Sequence, residues 1–185
     1  MEFQAHLPKR AGLIAVMGVL LLCAACAKPG AEMATRNQTG LDQARLNHAV
    51  TQAKAMRLAG QRVWCVPFAR NATGIEIRGN AETWWDQAAG TYRRGHEPAV
   101  GAVMAFAGTR ALPTGHVAVV SQIVSDREVR VDHANWLRNQ VSLGMSVIDV
   151  SDAGDWSRVR VESTPGNYGK VYVIDGFIYG GSQAL

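Results

Sequence analysis

The spacing of apolar and polar residues predicts helices in the first half of the chain. Apolar residues recur at helical spacing over Leu41–Leu58. A second helix is expected over Trp64–Arg70, because the first turn of a helix tolerates Pro67. A third is expected over Ala81–Ala89, with Asn80 as its N-cap.

The second half contains short runs rich in Val and Ile, separated by clusters of Gly, Asp, Ser and Pro. This pattern is typical of antiparallel strands. The predicted strands are Val100–Ala107, Gly115–Ile123, Arg127–Asn135, Val147–Val150, Ser157–Glu162 and Lys170–Tyr179. The short connection at Ser125-Asp126 predicts that the second and third of them are hairpin neighbours. Helices followed by strands predict an α+β domain, with N-terminal helices packed on an antiparallel β-sheet.

The first residues have the pattern of an export signal. A basic pair precedes the apolar run Ala11–Leu22, which is shorter than the roughly 20 residues that a membrane-spanning helix needs. Two processing outcomes remain open. Leu22–Cys26 resembles a bacterial lipobox, which favours lipidation of Cys26 and attachment to a membrane. Cleavage after Ala27 would instead release a soluble exported protein beginning at Lys28.

These patterns divide the chain into four parts. Residues 1–26 are the export signal, 27–59 a linker and helical extension, 60–181 the compact domain, and 182–185 a tail. We expect the mature protein at the cell envelope, anchored by lipid on Cys26, or otherwise periplasmic or secreted.

The amino-acid composition indicates a folded chain, and the distribution of charge is unlike that of nucleic-acid binders. The 185 residues are 48% hydrophobic, which is too apolar for a disordered chain. The net charge is +4, but 19 Lys and Arg residues are interspersed with 15 acidic ones, without a basic run or stripe. We therefore expect no nucleic-acid partner, and we expect a monomer.

Cys65 is the candidate nucleophile. Because processing would remove Cys23 and remove or lipidate Cys26, Cys65 alone would keep a free thiol, and no disulfide framework could form. It lies at the expected start of the second helix, where the helix dipole and a nearby imidazole would lower its pKa. The alternative interpretation is a small buried side chain that only packs.

Two histidines and an asparagine on neighbouring predicted strands are candidate partners of this thiol. His116 begins an apolar strand, while His133 and Asn135 are two residues apart and so would share a face. A cysteine nucleophile needs a base and a group that orients the base. Taken alone, His116 is more often a core or surface histidine, and His133 and Asn135 more often simply end a strand. Cys65 and the two histidines are also types of zinc ligand, but they lack the short paired spacings of zinc motifs, so we expect no metal and no cofactor.

Five motifs follow one another between about Gly60 and Tyr179: Val63–Arg70, Gly79–Ala81 with Trp84-Trp85, Pro98–Val103, Gly115–Val120 and Asp132–Trp136. The order of these motifs and the residues within them resemble those of the CHAP family, the cysteine, histidine-dependent amidohydrolases and peptidases. That family is a branch of the papain-like superfamily related to NlpC-type cell-wall peptidases.

The resemblance implies a papain-like fold and an exported hydrolase that cuts amide or peptide bonds of peptidoglycan. Cys65 would attack as a thiolate and His116 would serve as the base. The third catalytic position stays open between His133, which stands where many family members have glutamate, and Asn135. The residues expected to line the substrate groove are Trp64, Trp84, Trp85 and Trp136. Taken alone, the last three of these are more typical of a core than of a sugar-binding surface. The alternative function is a catalytically silent envelope lipoprotein that binds wall peptides or a protein partner.

Overall fold

The computed structural model describes residues 40–180, in which helices come first and strands follow. The predictions for the export signal, for Cys26 and for the tail at 182–185 lie outside these residues. Within them, no helix is both long enough and apolar enough to cross a membrane.

Helix α1 spans Gln43–Leu58, close to the predicted range. It begins where Asp42 caps it, because the Asp42 carboxylate accepts hydrogen bonds from the backbone N–H groups of Ala44 and Arg45. Three of its residues, Leu46, Ala49 and Ala53, are buried. The helix therefore packs one face on the domain.

Helix α2 spans Cys65–Thr73 and places the cysteine at its first position. The next helical segment is shorter than predicted. A 3-10 turn, Ala81–Thr83, leads into α3, which covers only Trp84–Gln87. Asn80 does occupy the N-cap position, but its side chain accepts no hydrogen bond from a backbone N–H group. It donates instead to the Glu82 carboxylate, so the predicted capping hydrogen bond is wrong.

The strands pair antiparallel throughout this part of the chain. They are β1 (Arg93–Gly95), β2 (Val103–Phe106), β3 (His116–Ser125), β4 (Glu128–Ala134), β5 (Val141–Asp149), β6 (Arg158–Thr164) and β7 (Asn167–Tyr179). Their order is β1-β7-β2-β3-β4-β5-β6, and β6 also pairs with the first half of β7. Because the second half of β7 pairs with β2, strands β2 to β7 close into a barrel. The predicted β3–β4 hairpin is confirmed.

Two apolar cores lie on opposite sides of the barrel wall. Residues of β3 alternate between them: Ala118 and Val120 belong to the barrel interior, whereas Val117 and Val119 belong to the core under the helices. The α+β class is thus confirmed. A closed barrel is not specific to papain-like folds, so the papain-like arrangement stays a prediction.

Gly115, which precedes β3, is expected to tolerate no side chain. Its φ is 62°, and a Cβ there would lie 2.6 Å from the Glu82 backbone nitrogen and 2.7 Å from the Phe106 carbonyl oxygen. Gly115→Ala should lower the free energy of unfolding by about 2–5 kcal/mol, as left-handed strain adds to overpacking. Urea denaturation measures this loss.

Gly166→Ala is the matched control. Gly166 has a φ of 76°, but no atom of the described residues outside its own turn comes within 4 Å of the point that a Cβ would occupy. Strain alone should lower the free energy of unfolding of this variant by about 1–2 kcal/mol. Equal losses in the two variants would contradict the close approach of Glu82 to Gly115.

Candidate active site

Cys65 is the first residue of α2 and its side chain is half-buried. Backbone N–H groups of Val117, Val66 and Cys65 itself point at the thiol and favour the thiolate. Burial outweighs them, so the pKa of the Cys65 thiol is raised above its ordinary value. The expected lowering of this pKa is therefore wrong for the resting structure.

The thiol opens onto a cleft of about 390 Å³. Its walls come from the start of α2, the turn before the 3-10 segment, and the approach to β3. The lining residues are Trp64, Cys65, Val66, Pro67, Gly79, Asn80, Ala81, Thr114 and Gly115. Cys65 and Gly115, the residue before His116, therefore line the same cleft.

His116 and His133 form a buried pair across the β3–β4 hairpin. The distance between His116 Nε2 and His133 Nδ1 is 3.0 Å, and the residues are 4% and 0% exposed. Burial, with a smaller contribution from His133, holds the pKa of His116 well below its ordinary value. Burial lowers the pKa of His133 to about 3. Both imidazoles are therefore neutral near neutral pH.

Aromatic rings enclose this pair and account for its low exposure to water. The Trp136 ring stacks on His133 at a centroid distance of 5.7 Å and an angle of 18°. It also meets the edge of His116, at 5.0 Å and 64°. Phe106 contacts His116 from the neighbouring strand, with the ring centroids 5.6 Å apart. The Trp136 ring thus packs against both histidine rings.

Asn135 lies beside the pair in sequence but points its side chain elsewhere. Strand β4 ends at Ala134, and Asn135 has a φ of 62°. Its Oδ1 accepts a hydrogen bond of 2.8 Å from the Asn139 backbone N–H. The predicted shared face with His133 is wrong, because the chain turns at Asn135 instead of extending the strand.

Asn139 is a positioning residue that the sequence did not reveal. Its Oδ1 accepts a hydrogen bond of 2.8 Å from the backbone N–H of Val63, two residues before Cys65. Through Asn135 and Asn139, the loop after β4 is tied to the segment that leads into α2. The φ of Asn139 is 57°, a conformation that asparagine adopts more readily than most residues. That preference was the one available signal.

The other three candidate tryptophans occupy three different environments. Trp64 is 47% exposed and lines the cleft. Trp84 is 0% exposed and belongs to the core under the helices, so its predicted place in a substrate groove is wrong. Trp85 is half-buried and lies against the Arg94 guanidinium, 4.6 Å from the ring centroid.

The neutral histidine pair predicts a loss of stability as the pH falls below about 6.5. Because both folded pKa values lie below that of an exposed histidine, the unfolded chain binds more protons in this range. The free energy of unfolding should then fall by up to about 1.4 kcal/mol per pH unit for each histidine. For His133 the window closes near pH 3, where the folded form is protonated too.

Urea denaturation at about pH 7 and about pH 5 measures this dependence. His133→Gln removes one of the two titrating groups and should lose less stability between the two conditions. A loss as large as that of the wild type would contradict the assignment.

The hydrogen bond between the Val63 N–H and Asn139 Oδ1 leads to a second prediction about stability. Asn139→Ala should lower the free energy of unfolding by about 1–3 kcal/mol, because a backbone N–H loses its partner and alanine disfavours a positive φ. Asn139→Asp keeps an acceptor oxygen and should lose less than half as much. Urea denaturation compares the two, and losses of the same size would rule out the hydrogen bond as the cause.

Comparison with known protein families finds the CHAP domain over residues 57–135. A comparison with curated proteins gives no match. CHAP domains are in general hydrolase domains that act on peptidoglycan. The matched span contains the cysteine at the start of α2, every residue that lines the cleft, and the paired histidines. Over residues 57–135, which hold the cysteine, the cleft and the histidine pair, the chain is therefore similar to CHAP domains.

Proposed function

We propose that the protein is an exported cysteine amidohydrolase or peptidase that hydrolyses amide or peptide bonds of peptidoglycan. Cys65 is the nucleophile and His116 is the base. One observation carries the proposal: the thiol that opens onto the cleft also contacts the backbone N–H of Val117, the neighbour of His116. A cysteine at the start of α2 that contacts the backbone of β3 one residue after its first histidine also supports the papain-like assignment.

The two pKa shifts favour an uncharged resting pair. Burial raises the pKa of Cys65 and lowers that of His116, so both shifts stabilise the neutral thiol and the neutral imidazole. His116 therefore acts as a general base that takes the thiol proton while sulfur attacks the carbonyl carbon. The imidazolium then gives this proton to the leaving amine, and a thioester forms on Cys65. Water, deprotonated by His116, then attacks the thioester carbon, the C–S bond breaks, and His116 returns the proton to the Cys65 sulfur as the carboxylic acid product leaves and ionises.

The start of α2 supplies donors for the oxyanion that forms during attack. The first N–H groups of a helix have no intrahelical acceptor, and no side chain caps this helix. The backbone N–H groups of Cys65 and Val66 already point at the thiol. Donors fixed in this way stabilise negative charge that develops on the substrate carbonyl oxygen.

We assign the orienting role to His133 in preference to Asn135. The His133 ring lies 3.0 Å from His116, whereas the Asn135 oxygen is used by Asn139. A neutral imidazole can accept a hydrogen bond from His116 and hold its ring in place. It stabilises an imidazolium less than a carboxylate would, which suits a site whose base is neutral at rest.

Trp64 is the residue of the four tryptophans that we propose contacts the substrate. Its exposed ring borders the cleft, and the Arg62 guanidinium lies 4.1 Å from its centroid. A flat apolar surface beside a cation suits a peptide or sugar that carries carboxylates. Export, with the mature protein either lipidated on Cys26 or released, would bring this cleft to the cell wall.

Incubation of the purified protein with peptidoglycan, followed by mass spectrometry of the released fragments, tests the proposal. Cys65→Ala and His116→Gln should each reduce fragment release by about 10³-fold or more, because each removes a group that acts directly in the reaction. His133→Gln should reduce it by about 10- to 100-fold.

His48→Gln is the matched histidine control, since His48 is exposed on α1 and should leave the rate unchanged. Equal fragment release by the wild type and Cys65→Ala would sink the cysteine mechanism. Binding of peptidoglycan by the wild type without any release would support the silent binding module instead.

A further inference from the structure

The buried histidine pair continues beyond His133 to a third side chain on strand β5. His133 Nε2 lies 3.2 Å from the sulfur of Met145. Met145 pairs with Val131 across the β4–β5 ladder, and the register shifts between Val131 and His133. That shift lets the Met145 side chain reach the ring of His133 diagonally.

We propose that Met145 is a positioning residue of the active site, whose thioether holds both histidines in the Nε2–H form and leaves His116 Nδ1 as the basic nitrogen. The catalytic meaning of this assignment rests on the proposed function. The protonation pattern itself is a property of the folded protein and is measured without any substrate.

The first step follows from the chemistry of sulfur. A thioether carries no hydrogen and can only accept a hydrogen bond. An unprotonated Nε2 at 3.2 Å would set its lone pair against those of the sulfur. The proton of His133 therefore lies on Nε2, pointing at Met145.

The second step follows from the neutrality of His133. A neutral imidazole carries one N–H, so His133 Nδ1 has a lone pair and accepts. Its hydrogen-bond partner in the described part of the chain is His116 Nε2, 3.0 Å away, which therefore donates. His116 is neutral as well, so its Nδ1 carries the lone pair.

This pattern leaves His116 with a lone pair on Nδ1, and the proposed function requires such a lone pair to take the proton of Cys65. Nδ1 is bonded to Cγ and is thus the ring nitrogen nearer the backbone. The backbone N–H of the next residue, Val117, contacts the Cys65 thiol. The reverse pattern, with protons on both Nδ1 atoms, would leave no lone pair on Nδ1 and so remove the base that the proposed function requires.

Met145 can be substituted without disturbing the histidines' other neighbours, because it lies nearest the surface in the series His116, His133, Met145. It is half-buried and lines a small cleft of about 220 Å³ on strands β5 and β6, away from Cys65. Leucine can replace methionine with little change of volume. A substitution here therefore alters the acceptor and leaves the cleft at Cys65 untouched.

The test is the two-bond ¹H–¹⁵N correlation spectrum of the ¹⁵N-labelled protein near neutral pH. His116→Gln and His133→Gln assign the two sets of signals. In the wild type, both histidines should show a pyrrole-type Nε2 and a pyridine-type Nδ1. A protonated Nδ1 on either ring would overturn the proposal.

Met145→Leu should shift the equilibrium toward the reverse pattern by about 5- to 150-fold, because the buried His133 N–H loses its acceptor. Its kcat on peptidoglycan should fall while KM is unchanged. Met145→Gln, whose amide oxygen accepts, should restore the wild-type spectrum and rate. Leu143→Ala, at an exposed position of the same strand, should behave as the wild type.

A Met145→Leu spectrum identical to that of the wild type would contradict the assignment. Failure of the proposed function is a separate result. A wild type that releases no peptidoglycan fragments but shows both Nε2–H forms would refute the hydrolase and support the role of Met145 in fixing the tautomers. A wild type that hydrolyses peptidoglycan with a protonated His116 Nδ1 would do the reverse.

Discussion

The hydrogen bond between His116 and His133 joins two strands inside a barrel that excludes water from both rings. Its 3.0 Å length is set by the β3–β4 hairpin, and its low exposure by Trp136 and Phe106. A buried polar pair is stable only when its donors and acceptors are matched, because an unpartnered group loses its water without compensation. The placement of His116, the path of β4 and the identity of the neighbouring side chains are consistent with that requirement.

Neutrality is the chemical consequence of this burial. Low exposure opposes the charged forms of the thiol and both imidazoles, even though the start of α2 offers backbone donors to the thiolate. In the proposed reaction, charge then appears only when the oxyanion and the imidazolium form together. Donors that are fixed before the reaction stabilise that charge without reorganisation. Histidine in place of a carboxylate beside His116 is consistent with a site that avoids permanent charge.

The sequence was most informative where local chemistry decides the structure. Pro67 and the residues around it marked the start of α2, and a short polar connection marked the hairpin that joins His116 to His133. Closure of the barrel depends on pairing between β6 and the first half of β7, and periodicity reports which residues alternate but not which strands meet. The short β1 has no clear alternation and was missed.

Errors at single residues had the same origin. Asn135 continues the alternation of β4 in sequence, but the turn that follows gives it a positive φ and engages its side chain with Asn139. The resemblance placed Trp84 in a substrate groove, yet the short α3 turns it fully into the core. Asn80 has a residue type that caps helices, but its amide is engaged by Glu82. Each depends on a contact that only the folded chain creates.

The central claim is that the Cys65 thiol attacks the substrate, and selective blocking of that thiol tests it most directly. Cys65 is the free cysteine among residues 40–180. A small methylthio group added to it through a disulfide exchange reagent can be removed again by a reductant. We predict that peptidoglycan hydrolysis falls in proportion to the fraction of Cys65 that is blocked and returns on reduction. Undiminished hydrolysis by the fully blocked protein would contradict the account.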